Sequence, residues 1–428
     1  MIRIFRDPHF QNPAIRRNFI LNWTDGAFFA FGMSFVPIVT VLPVFVQKIG
    51  GGSLAVSLIQ VIWIIGFNIP QILISNTIRH QPYKKKVVLL TALFQRLPWA
   101  LLAFISFFFI NRISSRCGLW LFFLVFAMAA LAGAMNFPGW FDLISKITPV
   151  TLRGRLFALR TITGALLGVM GGWMVKHILQ NVSFPHNFSM LFLLAFVMMT
   201  ISYFALMMLK ENEPNAADNP LTLKAYFRIL PGLLAEDKNF LNFLIADSCM
   251  TIGLISQPFY ILNAMEKFHL SPEASGTFTV VFMAGLVIWN FCFGPVGDRF
   301  GHRINLLIAS IVIFINSLLA ISVQTLAVFY VIFFLDALIM SMVQVSRFSI
   351  IAEFCGTKER PTYIALANMV TSPFILLGLI GGLLADSFGY YVVFLIAGFG
   401  GLVASLWWIF RIREPRQYVG TEQEMINH

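Results

Sequence analysis

Five charged side chains lie within long apolar stretches of this 428-residue sequence, away from the ends of those stretches. Three are acids, Asp25, Asp247 and Asp336, and two are bases, Arg96 and Arg347. On insertion scales an ionisable residue inside a membrane helix costs about 2.5–3.5 kcal/mol, so each one requires a partner or a function. Removal from water favours the neutral form of a carboxylate, which can then take up and release protons near neutral pH. These residues therefore predict proton transfer or the binding of a charged solute.

Ion pairing is the alternative to such chemistry for the two most informative acids. Asp25 is explained equally well as a structural partner of Arg96 and as a proton or substrate site. Asp336 has no basic residue close to it in sequence, and this favours a functional role.

Arg347 has two explanations as well. Its guanidinium could neutralise a bound anion. It could instead pair with Asp142 or Glu353, which lie closer to the ends of apolar stretches. The pairing is the simpler prediction, because it leaves no buried charge without a partner.

Neutral polar and aromatic side chains complete the set of candidate cavity residues. They are Asn136, Trp140, Gln257, Tyr260 and Gln344. The 46 phenylalanines of the chain are interpreted as core and lipid-facing residues, because apolar rings fill both environments.

The apolar stretches that carry these residues have the length of membrane spans. The chain is 58% apolar and only 11% charged, whereas roughly a quarter of the residues in a soluble protein are charged. A helix of about 20 residues crosses a hydrocarbon core of about 30 Å, and in lipid the backbone must satisfy its own hydrogen bonds. We therefore expect an all-α membrane protein with about twelve transmembrane helices. The apolar blocks fall at 19–47, 54–78, 87–110, 118–145, 156–179, 188–209, 239–263, 274–297, 305–323, 326–352, 362–385 and 391–411.

The basic residues predict the orientation of these spans. Of the 30 Lys and Arg residues, 23 lie in segments on one side of the predicted membrane, five on the other and two within spans. Positively charged loops stay in the cytoplasm, so both termini are expected inside the cell, in a multi-pass protein of the cell membrane. The domains expected are a cytoplasmic tail at 1–18, a six-helix bundle at 19–209, a cytoplasmic linker at 210–238, a second six-helix bundle at 239–411 and a tail at 412–428.

The two halves contain similar motifs in the same order. The first half has RGRLFAL at 153–159 followed by LGVMGG at 167–172. The second half has RPTYIAL at 360–366 followed by LGLIGG at 377–382. Small residues at such spacing allow helices to approach closely, and duplicated halves are typical of secondary transporters. We therefore expect two pseudo-symmetric bundles.

Several other functions receive no support from the sequence. The net charge of +11 is explained by the topology, so no nucleic-acid partner is expected. The four cysteines, Cys117, Cys249, Cys292 and Cys355, have no metal-binding spacing, and we expect no metal and no cofactor. P-loop, HExxH, CxxC and GxSxG motifs are absent from the sequence, so neither ATP-driven pumping nor an enzyme is expected.

One loop motif carries a family resemblance. The segment 294–303 reads GPVGDRFGHR. It resembles the G-x-x-x-D-R-x-G-x-R loop of the Major Facilitator Superfamily, which recurs after the second and eighth spans. The corresponding segment of the first half, 75–86, keeps the basic end but lacks the aspartate. The resemblance covers about residues 18–411 and implies an asymmetric cytoplasmic gate in which only Asp298 has the aspartate role.

The resemblance also implies that the first, fourth, seventh and tenth helices line a central cavity. Along the helices, Asp336 and Arg96 lie about 15 Å deep. Asp25, Asp247 and Arg347 are expected in the cytoplasmic third. The candidate gate residues are Asp142, Arg153, Arg155, Gly294, Asp298, Arg299, Gly301, Arg303, Glu353 and Arg360.

The function expected is secondary active transport of a small organic solute by alternating access, with proton coupling, by a monomer in the lipid bilayer. Multidrug efflux in exchange for protons is the alternative within transport. The efflux members carry a proline in the glycine motif of the fifth span, and the segment 168–172 lacks it. A membrane-embedded enzyme or a receptor that does not transport is the alternative from another class. Either would need a reactive cluster or a large soluble domain, which the sequence does not show.

Overall fold

The computed structural model describes residues 8–79, 81–211, 237–355 and 360–415. In these ranges the regular secondary structure consists of helices, with no strands. The chain divides into two compact units. Unit 1 comprises Met1–Gly51, Gly66–Leu221 and Leu270–Met283, and unit 2 comprises Gly52–Ile65, Thr222–His269 and Ala284–His428.

Seven α-helices and one short 3₁₀ helix precede residue 212. These helices are the 3₁₀ helix Pro8–Gln11, α1 (Pro13–Met33), α2 (Val41–Lys48), α3 (Ser53–Arg79), α4 (Lys84–Phe108), α5 (Ser115–Ile147), α6 (Val150–Asn181) and α7 (His186–Met207). In the first unit, α1 packs against α6 and α7, and α4 packs against α5 and α7.

Eight α-helices and two 3₁₀ helices follow residue 236. These helices are α8 (Lys238–Gly253), the 3₁₀ helix Leu254–Ser256, α9 (Gln257–Lys267), α10 (Ala274–Phe300), α11 (His302–Ser322), α12 (Leu326–Glu353), α13 (Arg360–Thr371), the 3₁₀ helix Ser372–Leu376, α14 (Leu377–Phe388) and α15 (Tyr391–Phe410). In the second unit, α11 packs against α12 and α15, and α15 also packs against α8.

The helices confirm the predicted all-α membrane fold. Ten segments among the described residues are long and apolar enough to cross a membrane, with α8 and α9 counted together as one. They correspond to the third to twelfth predicted spans. The α1–α2 segment and α3 occupy the positions of the first two. Membrane spans must be helical because lipid offers no partners to backbone groups.

The prediction of one continuous helix at 19–47 was wrong. The helix α1 ends at Met33 and α2 begins at Val41. Pro37 lies between them and has no N–H to donate to the Met33 carbonyl, which accepts instead from the N–H of Val36. The backbone N–H groups of Val41 and Leu42 both donate to the Pro37 carbonyl, and this starts α2.

The predicted helix at 239–263 is also interrupted. Its α-helical hydrogen bonding stops at Gly253 and resumes at Gln257, one residue before Pro258. Because Pro258 has no N–H, the carbonyl of Leu254 has no donor four residues later, and it accepts from the N–H of Gln257. That carbonyl accepts a second hydrogen bond from Nε2 of Gln60 at 2.9 Å. The predicted helix at 362–385 is broken in the same way, at a 3₁₀ turn that contains Pro373.

Equivalent asparagines join the first and last helices of each half. Nδ2 of Asn18 donates to the carbonyl of Lys210 and its Oδ1 accepts from the Lys210 N–H, at 2.9 and 3.0 Å. Asn239 exchanges the same two bonds with Arg413, both at 3.0 Å. The same device at the same place in each half supports the predicted internal duplication.

A buried carboxylate lies beside the asparagine pair in the first half. Both oxygens of Glu211 accept from the first backbone N–H groups of α4, at Lys84 (3.1 Å) and Lys85 (2.9 Å). Oε1 of Glu211 is also 2.7 Å from Nζ of Lys146. The negative charge therefore satisfies two unpaired donors at the positive end of a helix and binds the end of α5 to the same place.

The two glycine motifs pack as the sequence predicts. A Cβ at Gly172 would lie 2.8 Å from the backbone nitrogen of Val280, near the start of α10. A Cβ at Gly382 would lie 2.9 Å from the carbonyl oxygen of Ser53 at the start of α3. Each contact is within one unit. Glycine at these positions allows two helices to touch backbone to backbone.

Candidate functional site

The first cluster of charges centres on Asp25 in α1. Its Oδ2 accepts from Nη1 of Arg160 at 2.9 Å and lies 3.3 Å from Nε1 of Trp140. Its Oδ1 accepts from the Ser202 hydroxyl at 2.7 Å and lies 3.9 Å from Nη2 of Arg96. The residue is 2% exposed. Two guanidiniums and two neutral donors surround its carboxylate and fix its position.

The contact between Asp25 and Arg96 was one of the two explanations that the sequence left open. Arg96 also donates to the backbone carbonyls of Met199 (2.7 Å) and Ala92 (2.9 Å) and to the Ser202 hydroxyl (2.8 Å). Every nitrogen of this guanidinium thus has an acceptor. Arg96 joins α4 to α7 and is fully engaged inside unit 1.

Arg160 is a member of this cluster that the sequence analysis missed. Its Nη1 donates to the backbone carbonyl of Asn22 at 2.6 Å and also to the Asn22 side-chain oxygen. Its guanidinium carbon lies 4.7 Å from the centre of the Trp140 ring. The sequence analysis counted Arg160 with the basic loop residues, although it lies at the start of the apolar block 156–179, whereas α6 begins at Val150 and carries Arg160 within it.

The second cluster is an ion pair in unit 2. Nη2 of Arg347 is 2.8 Å from Oδ2 of Asp247, and its Nε donates to the same carboxylate at 2.9 Å. The remaining guanidinium donors bind Oδ1 of Asn368 at 2.8 Å and Oγ1 of Thr371 at 3.1 Å. This is a side-on, two-bond arginine–carboxylate contact, the strongest geometry for such a pair.

The predicted partners of Arg347 were therefore wrong. Asp142 lies in unit 1, half-exposed, 3.6 Å from Nζ of Lys84. Glu353 lies 3.9 Å from Nε2 of His302. Asp247 was not recognised as the partner of Arg347, because it is 100 residues away and on another helix.

Asp336 contacts no cation in the part of the chain that the structure describes. Its Oδ1 accepts from Nε2 of Gln257 at 2.8 Å, while its buried Oδ2 has no hydrogen-bond partner among the described residues. The amide oxygen of Gln257 in turn accepts from Nε2 of Gln60 at 2.9 Å. Gln60 also donates to the carbonyl of Leu254. A chain of two amides thus links Asp336 to the break before α9.

The other neutral candidates lie apart from these clusters. Oδ1 of Asn136 accepts from the Thr91 hydroxyl at 3.0 Å. Tyr260 is buried, and its phenol oxygen accepts from the Ser256 hydroxyl at 2.9 Å. Gln344 is exposed on α12. Asn136 and Tyr260 therefore make structural hydrogen bonds within their units, and only Trp140 and Gln257 contact a buried charge.

Two of the candidate gate arginines bind the ends of helices. Nε of Arg153 donates to the carbonyl of Thr148 at 3.0 Å, just after α5. Nη2 of Arg303 donates to the carbonyl of Trp408 at 2.6 Å, in the last turn of α15. Positive charge at helix carboxyl ends is favourable, so both side chains stabilise local structure in this conformation.

The family motif is more helical than the sequence predicts. The helix α10 continues through Phe300, and only Gly301, with a φ of +93°, turns the chain into α11. A Cβ at Gly294 would meet no atom within 4 Å, so close packing does not require this glycine. Gly297 is the closely packed position, because a Cβ there would lie 2.8 Å from Nδ2 of Asn305.

The remaining gate candidates are less defined. Arg299 is exposed and lies against the ring of Phe300, and Arg155 is half-buried on α6. The side chains of Asp298 and Arg360 lie outside the described part of the structure. Their predicted gate role, and that of the other gate residues, stays a prediction.

Comparison with known proteins gives a family match in the second half of the chain. The sequence model of the Major Facilitator Superfamily matches residues 240–426. No curated protein has a detectably similar sequence. Solved structures share the fold over almost the whole chain. A nucleoside transporter, NupG, is 12% identical with a TM-score of 0.70, covering 92% of this chain and 99% of that one.

Two sugar transporters have the same fold. A D-xylose–proton symporter is 14% identical with a TM-score of 0.70, covering 94% of this chain and 99% of that one. The Escherichia coli fucose–proton symporter FucP is 14% identical with a TM-score of 0.63, covering 94% and 100%. At such identities the structures establish the fold, and the family model supplies the sequence link in the second half. The second half of the chain therefore matches the Major Facilitator Superfamily model, and almost the whole chain has the fold of these three transporters.

Proposed function

We propose that this transporter couples the movement of a small organic solute to protons, and that Asp336 is the group that carries the proton. The observation that supports this is the environment of Asp336. It is 1% exposed, one oxygen accepts from a neutral amide, and the other has no hydrogen-bond partner among the described residues. A charged carboxylate in that position is poorly compensated, and a proton on Oδ2 would remove the charge.

The other two intramembrane acids are less suited to this role. Asp25 accepts from or contacts two arginines, and Asp247 is bound side-on by Arg347. Protonation of either acid would leave guanidinium groups buried without their counter-charge, which costs several kcal/mol. Asp336 has no such cation among the described residues, so it can change its protonation state at a smaller cost.

The similar structures agree with proton coupling. Two of them are described as proton symporters, one for D-xylose and one for fucose. Others are proton-dependent oligopeptide transporters. At 12–14% identity these names do not transfer a solute to this chain, and they serve here as support for the coupling ion alone.

The cellular arrangement is part of the same proposal. Both termini would lie in the cytoplasm of a cell-membrane protein, because 23 of the 30 basic residues fall on that side of the predicted topology. The bundles at 19–209 and 239–411 would be joined by the linker 210–238 and would act together as a monomer by alternating access.

The alternatives from the sequence are less well supported. The glycines of the segment 168–172 have a packing role. Gly172 lies against Val280, and a Cβ at Gly168 would lie 2.8 Å from Sδ of Met283. These contacts do not need the proline that marks efflux members. An enzyme would need a reactive cluster, whereas Asp25 and Asp247 are bound by arginines and Asp336 is bound by the neutral amide of Gln257.

Flux in proteoliposomes tests the proposal. Purified protein would be assayed with radiolabelled D-xylose, uridine, alanyl-alanine and lactate, with and without an inward proton gradient. We expect the gradient to drive accumulation of one of these solute classes in the wild type. Asp336→Asn should abolish gradient-driven accumulation but retain exchange of labelled for unlabelled solute, because exchange needs no net proton movement.

The control is Glu273→Gln, which removes an acid in the turn before α10. This variant should accumulate solute as the wild type does. Accumulation by Asp336→Asn at the wild-type level would show that another group carries the proton. Hydrolysis or another chemical change of a solute without flux would favour an enzyme instead.

A further inference from the structure

We infer that Arg160 and Asn22 form a binding site for the anionic group of the solute, a carboxylate or a phosphate. This inference rests on the proposed transport function and names the chemical class of its solute. The site lies within unit 1, between α1 and α6.

Arg160 uses only one of its three guanidinium nitrogens. All its hydrogen bonds to Asn22 and Asp25 come from Nη1. Nε and Nη2 have no acceptor among the residues that the structure describes. These two nitrogens form the edge of a guanidinium that binds both oxygens of a carboxylate or phosphate in parallel.

The other two buried arginines show that this open edge is unusual. Arg347 presents the same Nε–Nη2 edge to the carboxylate of Asp247, at 2.9 and 2.8 Å. Arg96 directs Nε and Nη2 to the carbonyl of Met199 and to the hydroxyl of Ser202. Within the described residues, Arg160 alone among the three lacks acceptors on that edge.

A second unsatisfied donor lies beside it. Asn22 is 0% exposed, and its side-chain oxygen accepts from Arg160. Its Nδ2 is buried and has no hydrogen-bond partner among the described residues. A buried donor without an acceptor costs about 1–3 kcal/mol, so a ligand oxygen at this position would remove a penalty.

The charge balance of the cluster also favours an anion. The guanidiniums of Arg96 and Arg160 share the single carboxylate of Asp25, and among the described residues neither has another carboxylate partner. One positive charge is therefore uncompensated in the unit 1 cluster. An anion that binds there supplies the missing negative charge.

The surrounding residues leave space for the Arg160 guanidinium, and part of this side chain is exposed. The Cα of Gly26 faces Arg160 so closely that a side chain at position 26 would occupy the place of the guanidinium. Trp140 covers one face of the guanidinium at 4.7 Å. The Arg160 side chain keeps 13% of its surface exposed, whereas Asp25 keeps 3%. The arginine is therefore the part of the cluster that a solute can contact.

The unsatisfied groups are all donors, and this sets the class of ligand. Nε, Nη2 and the Asn22 amide offer hydrogen atoms and no lone pairs. A neutral sugar or an ammonium would need acceptors here as well. A carboxylate or a phosphate accepts from all three donors and cancels the charge. One monoanion moved with one proton on Asp336 would make the transport cycle electroneutral.

Thermal shift of the purified full chain tests this inference. The probes are succinate, lactate, benzoate and inorganic phosphate, each at constant ionic strength. The uncharged controls are succinamide, 1,2-propanediol and benzamide. We expect at least one anion to raise the Tm of the wild type, and its uncharged counterpart to have no effect.

Two variants locate the binding. Arg160→Gln should weaken the apparent affinity for that anion about 10- to 100-fold, the factor expected for a hydrogen bond to a charged group. Asn22→Ala removes the amide donor and leaves every charge in place. It should weaken the apparent affinity for the anion about 5- to 10-fold. Arg112→Gln, which alters an exposed arginine, is the matched control and should bind as the wild type does.

Three outcomes would overturn the inference: no anion stabilises the wild type, the uncharged compounds stabilise it equally, or both variants bind the anion with unchanged affinity. If Arg160→Gln does not fold, Asn22→Ala decides. A neutral solute that accumulates with protons and depends on Asp336 would leave the proposed function intact while removing this site. Absence of flux for every solute class would instead count against the proposed function.

Discussion

The side-chain amide of Gln60 donates a hydrogen bond of 2.9 Å to the backbone carbonyl of Leu254. Pro258 cannot donate to that carbonyl, which accepts from the N–H of Gln257 and, as a second donor, from a residue almost 200 positions earlier in the chain. The same amide holds Gln257, which binds Asp336. The helix break, the two amides and the acid form one connected structure in unit 2.

Substitution of Gln60 should destabilise this connection. Gln60→Leu would leave the buried amide oxygen of Gln257 without its donor and the Leu254 carbonyl with one donor instead of two. We therefore expect a loss of about 1–3 kcal/mol in the free energy of unfolding. Pro258→Ala restores an N–H that can bond the Leu254 carbonyl within the helix. In the Pro258→Ala protein, Gln60→Leu should lower the free energy of unfolding by about 1 kcal/mol less than it does in the wild type. Chemical denaturation of the four proteins in detergent measures the difference, and an equal cost in both backgrounds would contradict this account.

The ion pair of Asp247 and Arg347 gives a second prediction. Arg347→Met would leave the Asp247 carboxylate buried without its counter-charge, and we expect a loss of about 3–5 kcal/mol. The double variant Asp247→Leu/Arg347→Met removes both charges and should be within about 1–2 kcal/mol of the wild type. Unfolding midpoints in urea would compare the two. A double variant as unstable as the single one would show that the pair is needed for packing rather than for charge balance.

Part of this structure follows from sequence pattern alone. The apolar blocks indicate where most helices lie, because the thickness of a bilayer fixes the length of a span. The glycine motifs predict close helix contacts, and Gly172 and Gly382 both make them. The contact between Asp25 and Arg96 was one of the two explanations that the sequence left open, because opposite charges in one bundle of apolar helices attract each other.

The rest depends on three-dimensional contacts that local pattern does not encode. Arg160 was assigned to a loop because basic residues near the end of an apolar block resemble a topology signal. Gln60 carries no charge, so one amide within an apolar block gave little indication of a partner in another half of the chain. Pro37 indicates a helix break, but the residues around it are so hydrophobic that the sequence analysis predicted one span at 19–47.

The buried carboxylate of Glu211 gives a third prediction. Glu211→Ala removes an acceptor from two N–H groups of α4 and the partner of Lys146, and we expect a loss of about 1–3 kcal/mol. Lys146→Met removes the ion pair alone and should cost less, about 1 kcal/mol, because the Glu211 carboxylate keeps its two N–H donors at the positive end of α4. Denaturation at low and high salt measures both, and equal costs would show that the helix cap contributes little.

Glycines in α6 give the last prediction, because one helix contains a packed position and an open one. A Cβ at Gly172 would lie 2.8 Å from the Val280 nitrogen, whereas a Cβ at Gly154 would meet nothing within 4 Å. Gly172→Ala should force the helices apart and lower the Tm, with a loss of about 1–3 kcal/mol. Gly154→Ala should raise stability by about 0.5–1 kcal/mol, because alanine has less backbone freedom to lose on folding. Thermal unfolding of both variants measures the difference. Equal shifts in the same direction would show that close contact at Gly172 does not hold the helices together.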